Sequence, residues 1–465
     1  MRSHSAVILL CSAVCAPTVV GCADGGSSVT RSSATVPQAA QQGAVSGGQA
    51  SVGRRTPSGA RRTLSVPTCS GTGADAFVGG AGSNVAGGQY AFVGAGSSNQ
   101  ACDEWSAIAG GLSNAISYTT GGDAGFIGGG EYNVLTGNDS ESAIVGGDGN
   151  QVTAGESSIV GGEDNSIAAA DSLIGGGEEN MITAAATADG AIVGGNQNRL
   201  SGQASFLGGG VYNNLSGTYG AVAGGYTNKM SAEYGFIGAG SSNTVSGEAA
   251  VVAGGQGSYA EGAYATVPGG YDNNAAGELS FAAGFKSYAR YAGSFVWSDY
   301  ASGATLLEST AVNQFLARAT GGFTLWTNAA NTVGATLAPG SGTWASASDR
   351  NLKTDVARID DAAVLDKVAA LPISRWSYKS ERGVRHVGPM AQDFYAAFGV
   401  GEDDKHITSI DEDGVALAAI KALHARVAAM DAENAHLRAQ LARYRASTDA
   451  RLARLTAAVA MLQAR

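Results

Sequence analysis

Residues 144–165 read IVGGDGNQVTAGESSIVGGEDN and contain one phrase twice: two apolar residues, a glycine pair and a turn that closes on Asn. The chain repeats this phrase fourteen times between Phe77 and Ala282. The repeats begin at Phe77, Phe92, Ile108, Phe126, Ile144, Ile159, Leu173, Ile192, Phe206, Val222, Phe236, Val252, Val267 and Phe281. A short period with insertions is the signature of a solenoid.

The length of the period indicates which kind of solenoid forms. The shortest step, as from Ile159 to Leu173, is 14 residues, and we interpret longer steps as insertions into one loop. Fourteen residues suffice for two short strands and two tight turns, in which Gly, Asn, Asp and Ser supply positive φ angles. We therefore predict a mainly β fold with a parallel β-solenoid rod over residues 74–298, and with both members of each apolar pair inside.

The repeats also resemble a known family. From Ala74 to about Ala301 they are similar to the heads of trimeric autotransporter adhesins, whose 14-residue units form a left-handed parallel β-roll packed as a trimer. That family has Ser-Val-Ala-Ile-Gly where this chain has its Gly-Gly phrase. With 70 glycines each coil buries little apolar area, so oligomerisation would add stability. The resemblance implies a left-handed β-roll and a homotrimer.

Composition limits the partners. The net charge of −11 argues against a nucleic-acid-binding surface, so we predict no nucleic-acid partner. Most acidic side chains fall in turns, where solvation explains them. Residues 146–150 look like the start of a calcium-binding repeat, but Gln151 stands where the next Asp is needed. We predict neither a metal nor a cofactor.

The N-terminus reads as an export signal over residues 1–21. Arg2 supplies the charge, and the apolar stretch from Ala6 to Val20 is too short to span a bilayer. Val19-Val20-Gly21-Cys22 resembles a bacterial lipobox, which would make Cys22 the lipidated mature N-terminus; the alternative is an ordinary signal peptide with an incidental cysteine. Ala23 after the cysteine is compatible with the outer membrane. We predict an outer-membrane lipoprotein at the cell surface.

Residues 22–73 are rich in Ser, Gly, Ala and Gln and are predicted to form a flexible tether. Cys69 and Cys102 are the two cysteines beyond the signal and the lipobox. An exported protein permits disulfides. The spacing leaves open whether these two pair with each other, pair between chains or stay free.

The C-terminal third contains a second resemblance. After a predicted β neck over residues 299–347, the chain reads Ser348-Asp349-Arg350-Asn351-Leu352-Lys353, followed by motifs at 386–394 and 413–420. From Ser348 to about Arg445 it resembles the endosialidase-type intramolecular chaperone. In that family the bond before the Ser is cut with a Lys five places on as base, which implies catalytic roles for Ser348, Asp349 and Lys353 and a cut at Ala347–Ser348. Asn351 stands where the family often has Arg.

A Ser-Lys pair can act as nucleophile and base without His. Lysine has a reference pKa of about 10.4, so such a base must be desolvated, and burial on trimer assembly would achieve this. The alternative is that Ser348 and Asp349 only cap a helix while Lys353 is solvated. The chain is at most a single-turnover Ser-Lys endopeptidase.

The last residues have a heptad pattern, which predicts a trimeric coiled coil from about residue 417 to the end of the 348–465 domain. After Thr448 the pattern shifts by four residues, a stutter. An amphipathic membrane helix is the alternative, but alternating Arg and Glu beside a narrow apolar stripe argue against it. The heptad seam comprises Ile420, Leu423, Val427, Met430, Asn434, Leu437, Leu441 and Tyr444, then Leu452, Leu455, Val459 and Leu462.

Together these features predict an exported trimeric surface fibre, adhesin-like, with a host or surface glycan or protein as ligand. Its C-terminal domain would drive trimer assembly. Two alternatives stay open: a phage-type tail spike or carbohydrate-active fibre, and a purely structural surface fibre.

Lipidation at Cys22 is directly testable. Labelled palmitate should enter the wild type and should be lost in Cys22→Ser, because no thiol remains to be acylated. Cys15→Ser, which changes a cysteine inside the predicted signal, should keep the label. Equal labelling of the wild type and Cys22→Ser would refute the prediction.

Overall fold

The computed structural model describes residues 69–80, 82–118, 124–137, 141–183, 189–301 and 305–464. The predicted signal peptide, Cys22 and the tether up to residue 68 lie outside these residues. In the described part, short strands stack in parallel into the two sheets of a β-solenoid. A three-stranded antiparallel sheet, an α/β region and a long C-terminal helix follow.

Most turns of the solenoid give one strand to each sheet, and one turn gives both Thr266–Val267 and Gly270–Tyr271 to the first sheet. The strands of the first sheet are Phe77–Val78, Phe92–Val93, Ala107–Ile108, Phe126–Ile127, Ala143–Ile144, Ser158–Ile159, Leu173–Ile174, Ala191–Ile192, Phe206–Leu207, Ala221–Val222, Phe236–Ile237, Val251–Val252, Thr266–Val267, Gly270–Tyr271, Phe281–Phe285, Phe295–Ser298 and Phe315–Arg318. Those of the second sheet are Val85–Ala86, Gln100–Ala101, Ala115–Ile116, Val134–Leu135, Gln151–Val152, Ser166–Ile167, Met181–Ile182, Arg199–Leu200, Asn214–Leu215, Lys229–Met230, Thr244–Val245, Tyr259–Ala260, Asn274–Ala275, Ser287–Ala289 and Leu307–Glu308.

The pairing register corrects the predicted period. Ser158 pairs with Leu173 and Phe206 with Ala221, so equivalent residues are 15 apart and not 14 in these turns. The error arose because the strand residue that directly precedes the buried one is Phe or Leu in some turns and Ala or Ser in others. The apolar pair in the sequence therefore starts one residue later where that residue is small. Longer steps, such as Ala107 to Phe126, keep the parallel pairing.

The prediction that both members of each apolar pair lie inside is also wrong. Ile174 and Leu207 are fully buried, whereas Leu173 and Phe206, directly before them, are 44% and 45% exposed. Consecutive side chains of a strand point to opposite faces, so only one of two neighbours can face the core. The core is a double column of single residues, one from each sheet in each turn.

A ladder of buried asparagines runs beside this core. The side-chain amide of Asn165 donates to the carbonyl oxygens of Gly161 (3.1 Å) and Gly177 (2.9 Å) and to Oδ1 of Asn150 (3.0 Å). Its own Oδ1 accepts from the backbone N–H of Asn180 at 3.0 Å. Each amide thereby joins its own turn to the turns before and after it. The ladder comprises Asn84, Asn99, Asn114, Asn133, Asn150, Asn165, Asn180, Asn198, Asn213, Asn228 and Asn243, and a further asparagine, Asn273, occupies the equivalent place.

The turn that carries this ladder requires glycine. Gly162 has a φ of +93°, and a Cβ there would lie 2.1 Å from the carbonyl oxygen of Gly177 in the next turn. The second glycine of each Gly-Gly phrase therefore allows the turns to approach closely enough for the asparagine amides to reach across.

A disulfide closes the N-terminal end of the solenoid. Cys69 and Cys102 are joined, with a Cα–Cα distance of 5.5 Å. A Cβ at Gly87 would lie 2.7 Å from both the Cβ and the Sγ of Cys69, so that glycine leaves the space that the bond occupies. Of the possibilities that the sequence left open, the structure shows the pairing within one chain.

At its other end the solenoid continues into the connector. Phe315–Arg318 pairs in parallel with Phe295–Ser298. The backbone N–H of Thr320 donates to Asp299 at 2.7 Å, and hydrogen bonds from the hydroxyl and backbone of Thr320 hold the pKa of Asp299 below its usual value. The antiparallel sheet that follows consists of Phe323–Trp326, Gly334–Leu337 and Trp344–Ser346.

The C-terminal region begins with a 3₁₀ helix at Arg350–Leu352. It continues with α1 (Asp361–Ala370), a two-stranded antiparallel sheet (Ser374–Trp376 and His386–Gly388), α2 (Ala391–Phe398) and α3 (Ser409–Gln463). α3 has 55 residues, hence a length of about 80 Å. Its apolar heptad residues from Ile420 onward are about half exposed or more. No helix in the described ranges combines the length and apolarity needed to cross a membrane.

Ser258 interrupts the asparagine ladder and offers a test of it. Its buried hydroxyl has no hydrogen-bond partner, although its backbone N–H still donates to Asn243. In Ser258→Asn the new amide should reach the carbonyls of Gly254 and Gly270. Each net hydrogen bond contributes roughly 0.5–1.5 kcal/mol, so we expect a stabilisation of about 1–2 kcal/mol. Thermal unfolding followed by circular dichroism should show a higher midpoint.

The reverse change supplies the control. Asn165→Ser creates the same interruption within the intact ladder and should lower the unfolding midpoint. A Ser258→Asn protein that unfolds at or below the wild-type temperature would contradict the role assigned to the ladder.

Candidate functional site

The predicted cut site lies where the antiparallel sheet ends. The backbone N–H of Ala347 donates to the carbonyl of Gly334 at 3.0 Å, just after the strand that ends at Ser346. The peptide bond between Ala347 and Ser348 therefore follows directly on the last residue that the sheet holds. It is anchored on one side and exposed at both residues.

A single tight turn brings the two predicted catalytic side chains together. Asp349 caps the 3₁₀ helix: its Oδ1 accepts from the backbone N–H of Asn351 at 2.9 Å and from the Asn351 side chain at 3.1 Å. The backbone N–H of Lys353 donates to the carbonyl of Arg350 at 3.2 Å. The turn directs Lys353 back over its start, and Lys353 Nζ lies 2.7 Å from Ser348 Oγ.

This contact has the right distance for a nucleophile and its base. The hydrogen bond runs from Nζ to Oγ, however, and a general base would have to accept a proton in the opposite direction. Both side chains are exposed in the single chain. The geometry of the pair is thus in place, whereas the desolvation that would make an amine a base has to come from elsewhere.

The geometry of these six residues combines features of both interpretations. Asp349 does cap a helical turn, as the alternative required, and its recorded hydrogen bonds go to Asn351 and not to Ser348. Lys353 is exposed but bonded to Ser348. Sequence reasoning did not assign a role to Asn351, which ties the cap to the turn. An Asp followed two places later by Asn, both able to bond the local backbone, was the available signal.

His386 lies in a different environment. Its ring stacks on Trp376 with a centroid distance of 4.7 Å, and its Nε2 lies 3.2 Å from an oxygen of Glu381. These contacts account for the residue as part of the small sheet. Among the described residues no group of three or more His, Cys, Asp or Glu side chains is placed to hold a metal ion.

The elements after the site lead to α3. Asp361 at the start of α1 forms an ion pair with Lys421 of α3, and Asp366 lies 3.8 Å from Arg426 of the same helix. Ala418 and Ala419 of α3 are buried. The site is therefore connected through α1 to the first turns of α3, while the rest of α3 extends beyond this contact.

Residues 348–399 match the model of the Peptidase S74 family, described as the chaperone of endosialidase. The match begins on Ser348 and ends on Gly399, the residue that caps α2. The motif at 413–420 and the extension to about Arg445 lie beyond it. No curated protein matches the chain. An endosialidase-type chaperone domain thus follows the β-solenoid. Domains of this family act in trimers. The presence of such a domain implies a trimeric fibre with a self-cleaving chaperone.

Proposed function

We propose that this chain forms a homotrimeric surface fibre whose C-terminal domain drives assembly and then cuts the bond between Ala347 and Ser348. One observation carries the proposal. The Ser348–Lys353 contact of 2.7 Å stands at the first residue of the segment that matches the chaperone family.

In the proposed reaction, neutral Lys353 takes the proton of the Ser348 hydroxyl. Oγ attacks the carbonyl carbon of Ala347, and the proton on Lys353 passes to the departing nitrogen of Ser348 as the C–N bond breaks. The product is an ester between Ala347 and Ser348 Oγ. Water then hydrolyses the ester, which leaves a carboxylate on Ala347 and a free amine on Ser348.

Assembly would control this reaction through solvation. An exposed lysine is protonated at neutral pH, since its reference pKa is about 10.4. Neighbouring copies of the chain would cover the exposed site and remove its water, which favours the neutral amine. Cutting would then report that three chains have come together.

The exposed heptad seam of α3 supports a trimeric coiled coil as the assembly element. We further propose that the rod is a left-handed β-roll and adhesin-like, with a glycan or protein ligand. In this proposal Cys22 anchors the fibre to the outer membrane through lipid, and residues 22–73 hold it away from that surface.

Self-cleavage can be read from the mass of the purified chain. Ser348→Ala should abolish cutting, because no hydroxyl remains to attack. Lys353→Ala should nearly abolish it, and Lys353→Arg should not restore it, since guanidinium stays protonated. Ser346→Ala removes another exposed hydroxyl two residues away and should be cut at the wild-type rate. Cutting at full rate in Ser348→Ala would indicate a contaminating protease.

Control by assembly needs a second experiment in which oligomeric state is measured by light scattering on the uncut Ser348→Ala chain. Adding Leu437→Asp places a charge in the seam and should give monomers. Adding Ala439→Asp, on the opposite side of the same helix, should leave trimers. With Ser348 intact, Leu437→Asp should also stop cutting. A monomeric parent chain would refute the trimer, and cutting by a proven Leu437→Asp monomer would remove assembly control.

A further inference from the structure

The outer face of the first sheet is formed by the residues directly before and directly after each inward residue. Across the described turns, neither of these two rows contains a charged side chain. The first row comprises Phe77, Phe92, Ala107, Phe126, Ala143, Ser158, Leu173, Ala191, Phe206, Ala221, Phe236, Val251, Thr266, Phe281, Phe295 and Phe315. The second comprises Gly79, Gly94, Ala109, Gly128, Val145, Val160, Gly175, Val193, Gly208, Ala223, Gly238, Ala253, Pro268, Ala283, Trp297 and Ala317.

The sizes of the two rows compensate each other in many turns. From Phe77 to Phe236 each Phe or Leu in the first row is followed by glycine, as in Phe206 and Gly208, whereas Ala143, Ser158 and Ala191 are followed by valine. Ala107 and Ala221 are followed by alanine, and Phe295 is followed by Trp297. At Gly94 a Cβ would lie 3.1 Å from a ring carbon of Phe92, so the ring covers the glycine. In the compensated turns the height of the face therefore stays nearly constant.

The outer face of the second sheet is different in kind. Its equivalent rows include the charged residues Arg199, Lys229, Glu261 and Arg290. Both faces are open in the single chain, yet charge is confined to one of them. Apolar side chains of the first sheet are exposed to water, such as Val145 (54%) and Val193 (55%). Only contact with a partner would bury this apolar surface.

We propose that the outer face of the first sheet is the surface through which copies of this chain pack against one another along the rod. A second copy has the same strand spacing of about 4.8 Å, so turns of the two copies can face each other along the whole length of the rod. Exposed aromatic side chains of this face, such as Phe206 (45%) and Phe236 (39%), each leave on the order of 80 Å² open to solvent. A standard stable interface takes about 800 Å² per partner, so a contact of that size has to extend over many turns of the rod.

This inference rests on the proposed function in one respect. Cutting at Ala347–Ser348 separates α3 from the rod, so a trimer that survives cutting needs a contact of its own N-terminal to the cut. An uncharged face that continues through Phe281, Phe295 and Phe315, whose rings stack at centroid distances of 4.5 and 4.8 Å, meets this need.

Two serines of one turn provide a matched test. Ser158 and Ser166 each precede a buried isoleucine, are both partly buried and lie on opposite sheets. In the full chain, Ser158→Cys and Ser166→Cys would be treated with a bismaleimide that spans about 10 Å, the distance between facing sheets. We expect Ser158→Cys to give covalent dimers, because three thiols around one axis join in pairs, and Ser166→Cys to give none.

The wild-type chain is the blank: its Cys69 and Cys102 are joined, and any reaction of Cys11, Cys15 or Cys22 is common to the wild type and to every variant. Ala143→Cys, which pairs with Ser158 in the same row, repeats the test should Ser158→Cys fold poorly. A monomer by light scattering would overturn this inference and the proposed trimer together. A proven trimer in which neither Ser158→Cys nor Ala143→Cys cross-links, or in which Ser166→Cys cross-links instead, would overturn this inference alone.

Discussion

The solenoid depends on side-chain amides that are buried and fully used. The strands are mostly two residues long, and backbone hydrogen bonds between turns continue outside them, as from the N–H of Glu163 to the carbonyl of Gly177. Asn114 and Asn165 show what the side chains add to this pairing: each amide binds its own turn and both neighbours, at distances near 3 Å. A buried amide left without partners costs about 1–3 kcal/mol, so a turn that slipped in register would be penalised at its asparagine. The ladder therefore sets the register.

Much of this fold could be predicted from the sequence because its determinants are local. The Gly-Gly phrase and its Asn mark every turn in the sequence, which is why a solenoid of short strands could be predicted. The phase could not, because Ala143 and Ser158 look like turn residues although they occupy the same place as Phe206. Only the pairing between turns shows that Ala143 and Ser158 are strand residues and not turn residues. The Cys69–Cys102 bond was beyond prediction for the same reason, as their separation of 33 residues says nothing about two turns lying side by side.

The candidate site could also be predicted only in part. The motif identified Ser348 and Lys353, and a turn of five residues can bring such side chains together. The involvement of Asn351 depended on side-chain directions that spacing does not give. The proposed function also accounts for the order of the domains. Parallel pairing between turns is slow to form, whereas contacts within α3 are local and fast. A helix that gathers three chains would align the rods before their turns stack.

The disulfide makes the two ends of the rod differ in their resistance to unfolding. A solenoid can peel from either end, because its terminal strand has a neighbour on one side only and its other edge is open. At the N-terminal end Cys69 is bonded to Cys102 beside the following turns, and closing a loop of this length is worth about 4 kcal/mol. The C-terminal end has no such covalent tie among the described residues. Loosening should therefore start next to the connector and travel toward the cross-link, so that the part of the rod farthest from the cut site is the last to come apart.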